Sequence, residues 1–141
     1  MKELQVQDLM THAPYTVTPD ASLKRLQDLM DEGHLRHVPV VDDEENLVGL
    51  VTHRDMLRCL PEQVREMPLS YQREHLAKTT VDELMNKSLE TTEPGASVVE
   101  AAQVMLENKF GCLPVVEGSR LVGILTESDF VRWVAEEGTR D

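Results

Sequence analysis

"GLVTHRD", Gly49 to Asp55, reads as the end of a strand running into the start of a helix, and the chain writes it again as "GILTESD", Gly123 to Asp129. The glycine, threonine and aspartate keep their spacing while much of what lies between them changes. Working outward, "LVGLVTHRDMLR" (47–58) meets "LVGILTESDFVR" (121–132) at an offset of 74. Beyond one residue lost in a loop the offset becomes 75, pairing "HVPVV" with "CLPVV", "TVTPDAS" (16–22) with "TTEPGAS" (91–97), and "VQDLM" (6–10) with "VDELM" (81–85). About 18 of 49 aligned positions are identical, where chance would give on the order of three. The chain is an internal duplication.

Because the local signals recur in the same order, each unit can be read against the other. Pro19 and Pro94 end a short extended piece, and Ser22 and Ser97 then cap a helix of about three turns. Ser97 and Glu100 have the spacing of a capping box, which the first unit, with Arg25, lacks. Leu23, Leu26, Leu29 and Met30 share one face, as do Val98, Ala101, Val104 and Met105. Gly33 and Asn108, tolerant of left-handed backbone, are expected to close the two helices. Two apolar β-rich runs follow in each unit: Val38–Val41 and Leu47–Val51 around "DDEEN", and Leu113–Val116 and Leu121–Leu125 around "EGSR". Their weak alternation predicts sheets covered on both faces, by helices on one and by the sister repeat on the other. A second helix begins at Thr52 and at Thr126. Residues 1–60 form the first repeat and 80–141 the second. Residues 61–79 read as a partly helical surface linker, in which Leu69, Tyr71 and Leu76 are the contact candidates should it bind a partner. Met10, Met30, Met85 and Met105 occupy equivalent positions and read as packing residues.

Composition narrows the function classes. At 141 residues with 40% hydrophobic but 4% aromatic residues, the chain can bury a core of Val, Leu, Ile and Met. A net charge of -12 repels phosphate backbones and anionic lipid, so nucleic acid and membrane are not expected partners. No apolar run is as long as a bilayer span, and "MKELQVQDLM" lacks a signal-peptide core, so a cytoplasmic protein is expected. Cys59 and Cys112 stand apart, as reduced thiols do. The five histidines include no metal-binding spacing such as HExxH, and His12 and His75 read as surface residues. With no nucleophile beside a base and no Walker-type loop, catalysis is not expected.

Two units of helix, two strands and helix, each with "hPVV" and then "LVGhhTxxD" (h, apolar), resemble the cystathionine β-synthase (CBS) domain family, a tandem pair of which is a Bateman module. The resemblance covers residues 6 to about 134. It implies an α/β (α+β) fold of two CBS-type repeats, each with helices packed on a small sheet, joined through their sheets with pseudo-two-fold symmetry. It further implies clefts that bind an adenosine-containing small molecule, AMP foremost and also ADP, ATP or S-adenosylmethionine, as a regulatory ligand and not a required cofactor. A homodimer and a separate effector protein as partners belong to the same picture.

The repeated turn suits such a ligand. The backbone N–H groups and dipole of a helix starting at Thr52 or Thr126 favour an anion, and Gly49 and Gly123 permit close approach. A carboxylate in the first turn can accept both hydroxyls of a ribose, and the resemblance assigns that role to Asp55 and Asp129. It assigns phosphate to Thr52, His53, Arg54, Arg36 and His37, and to Thr126 and Ser128. For adenine it points to Val17, Leu35, Val38 and Pro39 in one unit and Phe110, Leu113 and Pro114 in the other. The units differ in charge: His34, Arg36, His37, His53 and Arg54 surround the first motif, whereas Lys109, Gly111, Cys112, Glu127 and Ser128 surround the second. T-x-x-D is also an ordinary helix cap, so a dimerisation scaffold with degenerate sites is the competing reading.

Overall fold

The structure is a computed structural model that describes residues 3–137. The outermost residues of the two sequence repeats, 1, 2 and 138–141, lie outside that range. Among the described residues no helix is long and apolar enough to cross a membrane. The elements are α1 (Val6–Leu9), β1 (Thr11–His12), α2 (Leu23–Gly33), β2 (His37–Val41), β3 (Leu47–Thr52), α3 (His53–Arg58), α4 (Glu62–Arg65), α5 (Leu69–Leu76), a 3-10 turn at Val81–Glu83, α6 (Val98–Asn108), β4 (Cys112–Glu117), β5 (Arg120–Thr126) and α7 (Glu127–Glu137).

They form two compact units. One is Tyr15–Leu89; the other joins the residues up to Pro14 with those from Glu90 onward. These units are not the sequence repeats, because each repeat gives its opening segment to the unit built mainly from the other. In the unit Tyr15–Leu89, the Leu23 N–H donates to the Thr79 carbonyl (2.9 Å) and the Val81 N–H to that of Ala21 (2.8 Å). Leu50 and Asn86 exchange a pair of backbone hydrogen bonds (3.0 and 2.9 Å). The other unit makes the equivalent bonds, from Val6 to Ala96 (2.8 Å) and from Val98 to Leu4 (3.0 Å). Burying the apolar side of each opening segment against the other repeat's helix explains the exchange, since Val6 and Val81 both sit wholly inside a core.

The helix starts follow their caps. Ser22 Oγ accepts the Arg25 N–H (3.1 Å). Ser97 Oγ accepts those of Val99 and Glu100 (3.2 and 3.4 Å), and its hydroxyl donates to Glu3. Glu3, from the exchanged segment, thus accepts the Ser97 hydroxyl, and the expected capping-box bond from the Ser97 N–H to the Glu100 carboxylate is not formed. The helix ends move one residue from expectation. The left-handed residues are His34 (φ 53°) and Lys109 (φ 57°), not Gly33 and Asn108. Gly33 is required for space instead, because a Cβ there would lie 2.9 Å from Leu35 Cγ.

Each sheet is small. β2 pairs antiparallel with β3, and β4 with β5, with an irregularity at the matching steps Val40/Val41 and Val115/Val116. β1 adds a third strand to the second sheet, Thr11 opposite Ile124 and His12 opposite Gly123. Nothing in "THAPY" announces it. The "DDEEN" loop is fixed by Asp42, whose Oδ1 accepts the N–H groups of Glu44 and Asn46, both at 2.9 Å. The Asn46 amide is the main cause that holds this carboxyl below its usual range.

The stretch 61–79 is more than a surface linker. Its Val64 and Leu76 belong to the core of the unit Tyr15–Leu89, together with Leu23, Leu26, Val38, Val51 and Met56. Arg73 ties α5 to α2 through Asp28 Oδ1 (2.7 Å) and Gln27 Oε1 (3.0 Å). Leu69 and Tyr71 are exposed as expected, whereas Leu76 is buried and is no contact candidate. The second core gathers Val6, Leu9, Met10, Ala101, Met105, Leu113, Val115 and Leu125. Trp133 on α7 is partly exposed beside exposed Val131 and Val134.

Candidate functional site

The two motifs share a backbone and differ in how their carboxylates are used. In the first, Thr52 and Asp55 form a capping box: Asp55 Oδ2 accepts the Thr52 N–H (3.0 Å) and Thr52 Oγ1 accepts the Asp55 N–H (3.1 Å). Asp55 is half-buried, and its Oδ1 has no hydrogen-bond partner among the described residues. Each carboxylate oxygen accepts at two lone pairs, so Asp55 keeps capacity for two further donors on different oxygens.

Basic residues converge on this motif through the backbone. The His53 N–H donates to the Arg36 carbonyl (2.8 Å), and His37 stands opposite Thr52 in the β2–β3 ladder. Arg36, His37, His53 and Arg54 are thereby brought to one end of the hairpin. Arg36, His53 and Arg54 are exposed and His37 is half-buried. The helix itself contributes less than its sequence predicts. α3 spans six residues, and its first-turn amides at His53 and Asp55 are already bonded. Attraction for an anion here rests on side-chain charge more than on a helix dipole.

In the second motif Asp129 is 2% exposed. Its Oδ2 accepts the Thr126 N–H (2.8 Å) and hydroxyl (3.3 Å), and its Oδ1 accepts the Thr11 hydroxyl (3.1 Å) and Arg132 Nη1 (2.9 Å). Four donors fill the carboxylate, which the sequence expects to hold a ribose. Thr11 and Arg132 are the partners that sequence reading misses. Thr11 lies 118 residues from Asp129 in the chain; Arg132, three residues on, carries the only local signal, an ordinary i,i+3 pairing. Thr126 is half-buried and Ser128 exposed, and Glu127 beside them is acidic.

The apolar positions expected to hold adenine divide. Val38 and Leu113 are 0% and 1% exposed inside the cores, and Val17, Pro39 and Pro114 are also buried. Leu35 and Phe110 present accessible surface, Phe110 at 37%. Gly49 and Gly123 meet side chains of the exchanged segments. A Cβ on Gly49 would lie 2.6 Å from Met85 Sδ, and one on Gly123 would lie 2.7 Å from Met10 Sδ and 2.9 Å from the Thr11 carbonyl. The close approach that these glycines allow is therefore filled by methionine.

An open depression of about 410 Å³ lies between α2 and α5, lined by Lys24, Ser70, Arg73, Glu74, Ala77 and Lys78. It includes none of the motif residues. Among the described residues no group of three His, Cys, Asp or Glu side chains could hold a metal. Cys112 is buried, and burial, with the Glu127 charge adding to it, pushes its thiol up to about 12. Cys59 is also raised by burial. Neither thiol is a ready nucleophile.

Comparison with known proteins agrees with this architecture. A candidate acetoin utilization protein (AcuB) from Vibrio cholerae is 33% identical with a TM-score of 0.81, over 96% of this chain and 93% of that one. CBSX2, solved in complex with AMP, is 30% identical with a TM-score of 0.77, over 95% and 98%. The CBS domain pair of protein MJ0100, solved with 5′-methylthioadenosine and S-adenosyl-L-methionine, is 25% identical with a TM-score of 0.75, over 92% and 98%. The chain spans 33% of the length of an uncharacterised protein of Methanocaldococcus jannaschii to which it is 32% identical over 139 residues. The CBS domain family profile matches residues 6–62 and 81–136, and the chain, a tandem pair of such repeats, belongs to that family.

Proposed function

We propose that the chain is a cytoplasmic regulatory module that binds an adenine nucleotide, AMP first, at the Thr52–Asp55 motif and conveys its level to a partner protein or to its own dimer. The observation that carries this reading is the unspent Asp55 Oδ1 beside a cluster of basic residues. Vicinal ribose hydroxyls donate to Oδ1 and to the remaining lone pair of Oδ2, in charge-assisted bonds stronger than neutral ones. Arg36 and Arg54, with His37, His53 and the Thr52 hydroxyl, meet the phosphate. The charge of -12 over the whole chain does not oppose this, since charges beyond about 8 Å are largely screened at physiological salt. Leu35 offers apolar surface for the base. Related CBS pairs solved with AMP and with S-adenosylmethionine support the ligand class.

Calorimetric titration of the protein with AMP, ADP, ATP and S-adenosylmethionine tests the reading. AMP is expected to bind, and Asp55→Ala to weaken it on the order of 100-fold, the worth of two charge-assisted hydrogen bonds. Arg54→Ala is expected to weaken AMP more than adenosine. Absence of binding by all four ligands, or unchanged affinity in Asp55→Ala, would leave the motif as a helix cap and favour the scaffold reading.

A further inference from the structure

The duplicated motif has one open and one occupied carboxylate, and the residues that cause the difference are identifiable. Asp129 holds Thr11 and Arg132 on Oδ1. At the repeat-equivalent positions the first motif has Asn86 and Arg58. Asn86 turns its side-chain oxygen to the Ser88 N–H (3.1 Å), and Arg58 is exposed with no bond to Asp55. The same threonine-aspartate turn therefore ends with a free oxygen in one unit and a filled, buried carboxylate in the other.

We infer that Thr11, Asp129 and Arg132 form a structural latch that fastens the N-terminal segment to the start of α7 and keeps the second motif closed, so that the protein binds one nucleotide per chain. A diol reaching Asp129 would have to displace a threonine hydroxyl and a guanidinium already at hydrogen-bond distance, and bring its own hydroxyls to an oxygen shut off from solvent. Removing a partner would leave a buried carboxylate short of donors, which is the unfavourable direction. The stoichiometry rests on the reading of the Thr52–Asp55 motif given above. The latch itself does not.

The test therefore has two readouts. Native mass spectrometry is expected to show one AMP per chain in the wild type and, at an AMP concentration that just fills that site, little in Asp55→Ala. Two per chain in the wild type, or half the wild-type occupancy remaining in Asp55→Ala, would overturn the single site. Thermal unfolding of Thr11→Val, Arg132→Gln and the double variant reads the latch without ligand. Both single variants are expected to melt below wild type, and the double variant to melt at a temperature that departs from the sum of the two losses. Additive losses, or a Thr11→Val protein as stable as wild type, would remove the latch. If AMP binds nowhere, the proposed function fails while the melting cycle still decides whether Asp129 is held in this way.

Discussion

Substituting alanine at the repeated glycine separates what the two motifs have in common. A methyl group on Gly123 would lie 2.7 Å from Met10 Sδ, 3.1 Å from Met10 Cε and 2.9 Å from the Thr11 carbonyl oxygen, against about 3.5–4.0 Å for relaxed contact. The methionine can rotate. The carbonyl cannot move freely, because Thr11 belongs to β1 and pairs with Ile124 on β5. Overpacking of this kind costs about 1–3 kcal/mol, and alanine recovers about 0.4–1 kcal/mol through a less flexible unfolded chain. With backbone in the way, Gly123→Ala should lose about 2 kcal/mol net, or about 7 °C in a protein of this length. Gly49 faces Met85 Sδ and Cγ at 2.6 and 2.9 Å, which side-chain rotation can move, and the fixed Met85 Cβ at a milder 3.1 Å, so Gly49→Ala should lose less than about 1 kcal/mol. Unfolding followed by circular dichroism gives both numbers. Met85→Ala should rescue part of the Gly49→Ala loss, whereas Met10→Ala should leave most of the Gly123→Ala loss in place. A Gly123→Ala protein that melts at or above the wild-type temperature, or a reversed order of the two variants, would refute the steric account.

Leu76→Ala should destabilise by about 3 kcal/mol as a cavity in a packed core, while Leu69→Ala, at a residue 73% exposed, should stay within about 0.5 kcal/mol of wild type; equal urea midpoints for the two would return 61–79 to the role of a spacer. The Cys112 thiol, ordinarily near 9.0, is raised to about 12 by burial. The stability contributed by its neutral form is complete below the unfolded value and lost as pH rises from about 9 toward about 12. Unfolding midpoints should therefore fall more steeply with pH in the wild type than in Cys112→Ala, and parallel curves would count against this burial.

Local chemistry was legible wherever one short stretch decides it. Ser22, Ser97 and Thr52 cap helices because a hydroxyl near free amides needs no distant partner, and the strands follow from valine-rich runs between turn residues. The repeat made each such reading twice. Long-range pairing was not legible, and the errors follow from that. β1 exists because β5 offers it an edge, Leu76 is buried because α5 packs on α2 in the core that Val81 also enters, and Ser97 holds Glu3 because the N-terminal segment crosses to the other repeat. Asp129 is the clearest case at the site, since half of the donors on its carboxylate come from residues whose roles no motif announces.

The exchange of opening segments joins these observations. Met10 packs on Gly123, and its neighbour Thr11 reaches Asp129, so the N-terminal segment engages two of the three repeated residues of the second motif. Met85 packs on Gly49 in the same way, but its neighbour is Asn86, whose side chain serves Ser88. The glycine has thus kept one packing task in both units, while the aspartate has taken two. A duplication supplies a pair of like turns; a threonine in place of asparagine, with Arg132 engaged where Arg58 is not, occupies one carboxylate and leaves an oxygen of its twin open. The acid with an open oxygen is then the one that its exchanged segment does not bond.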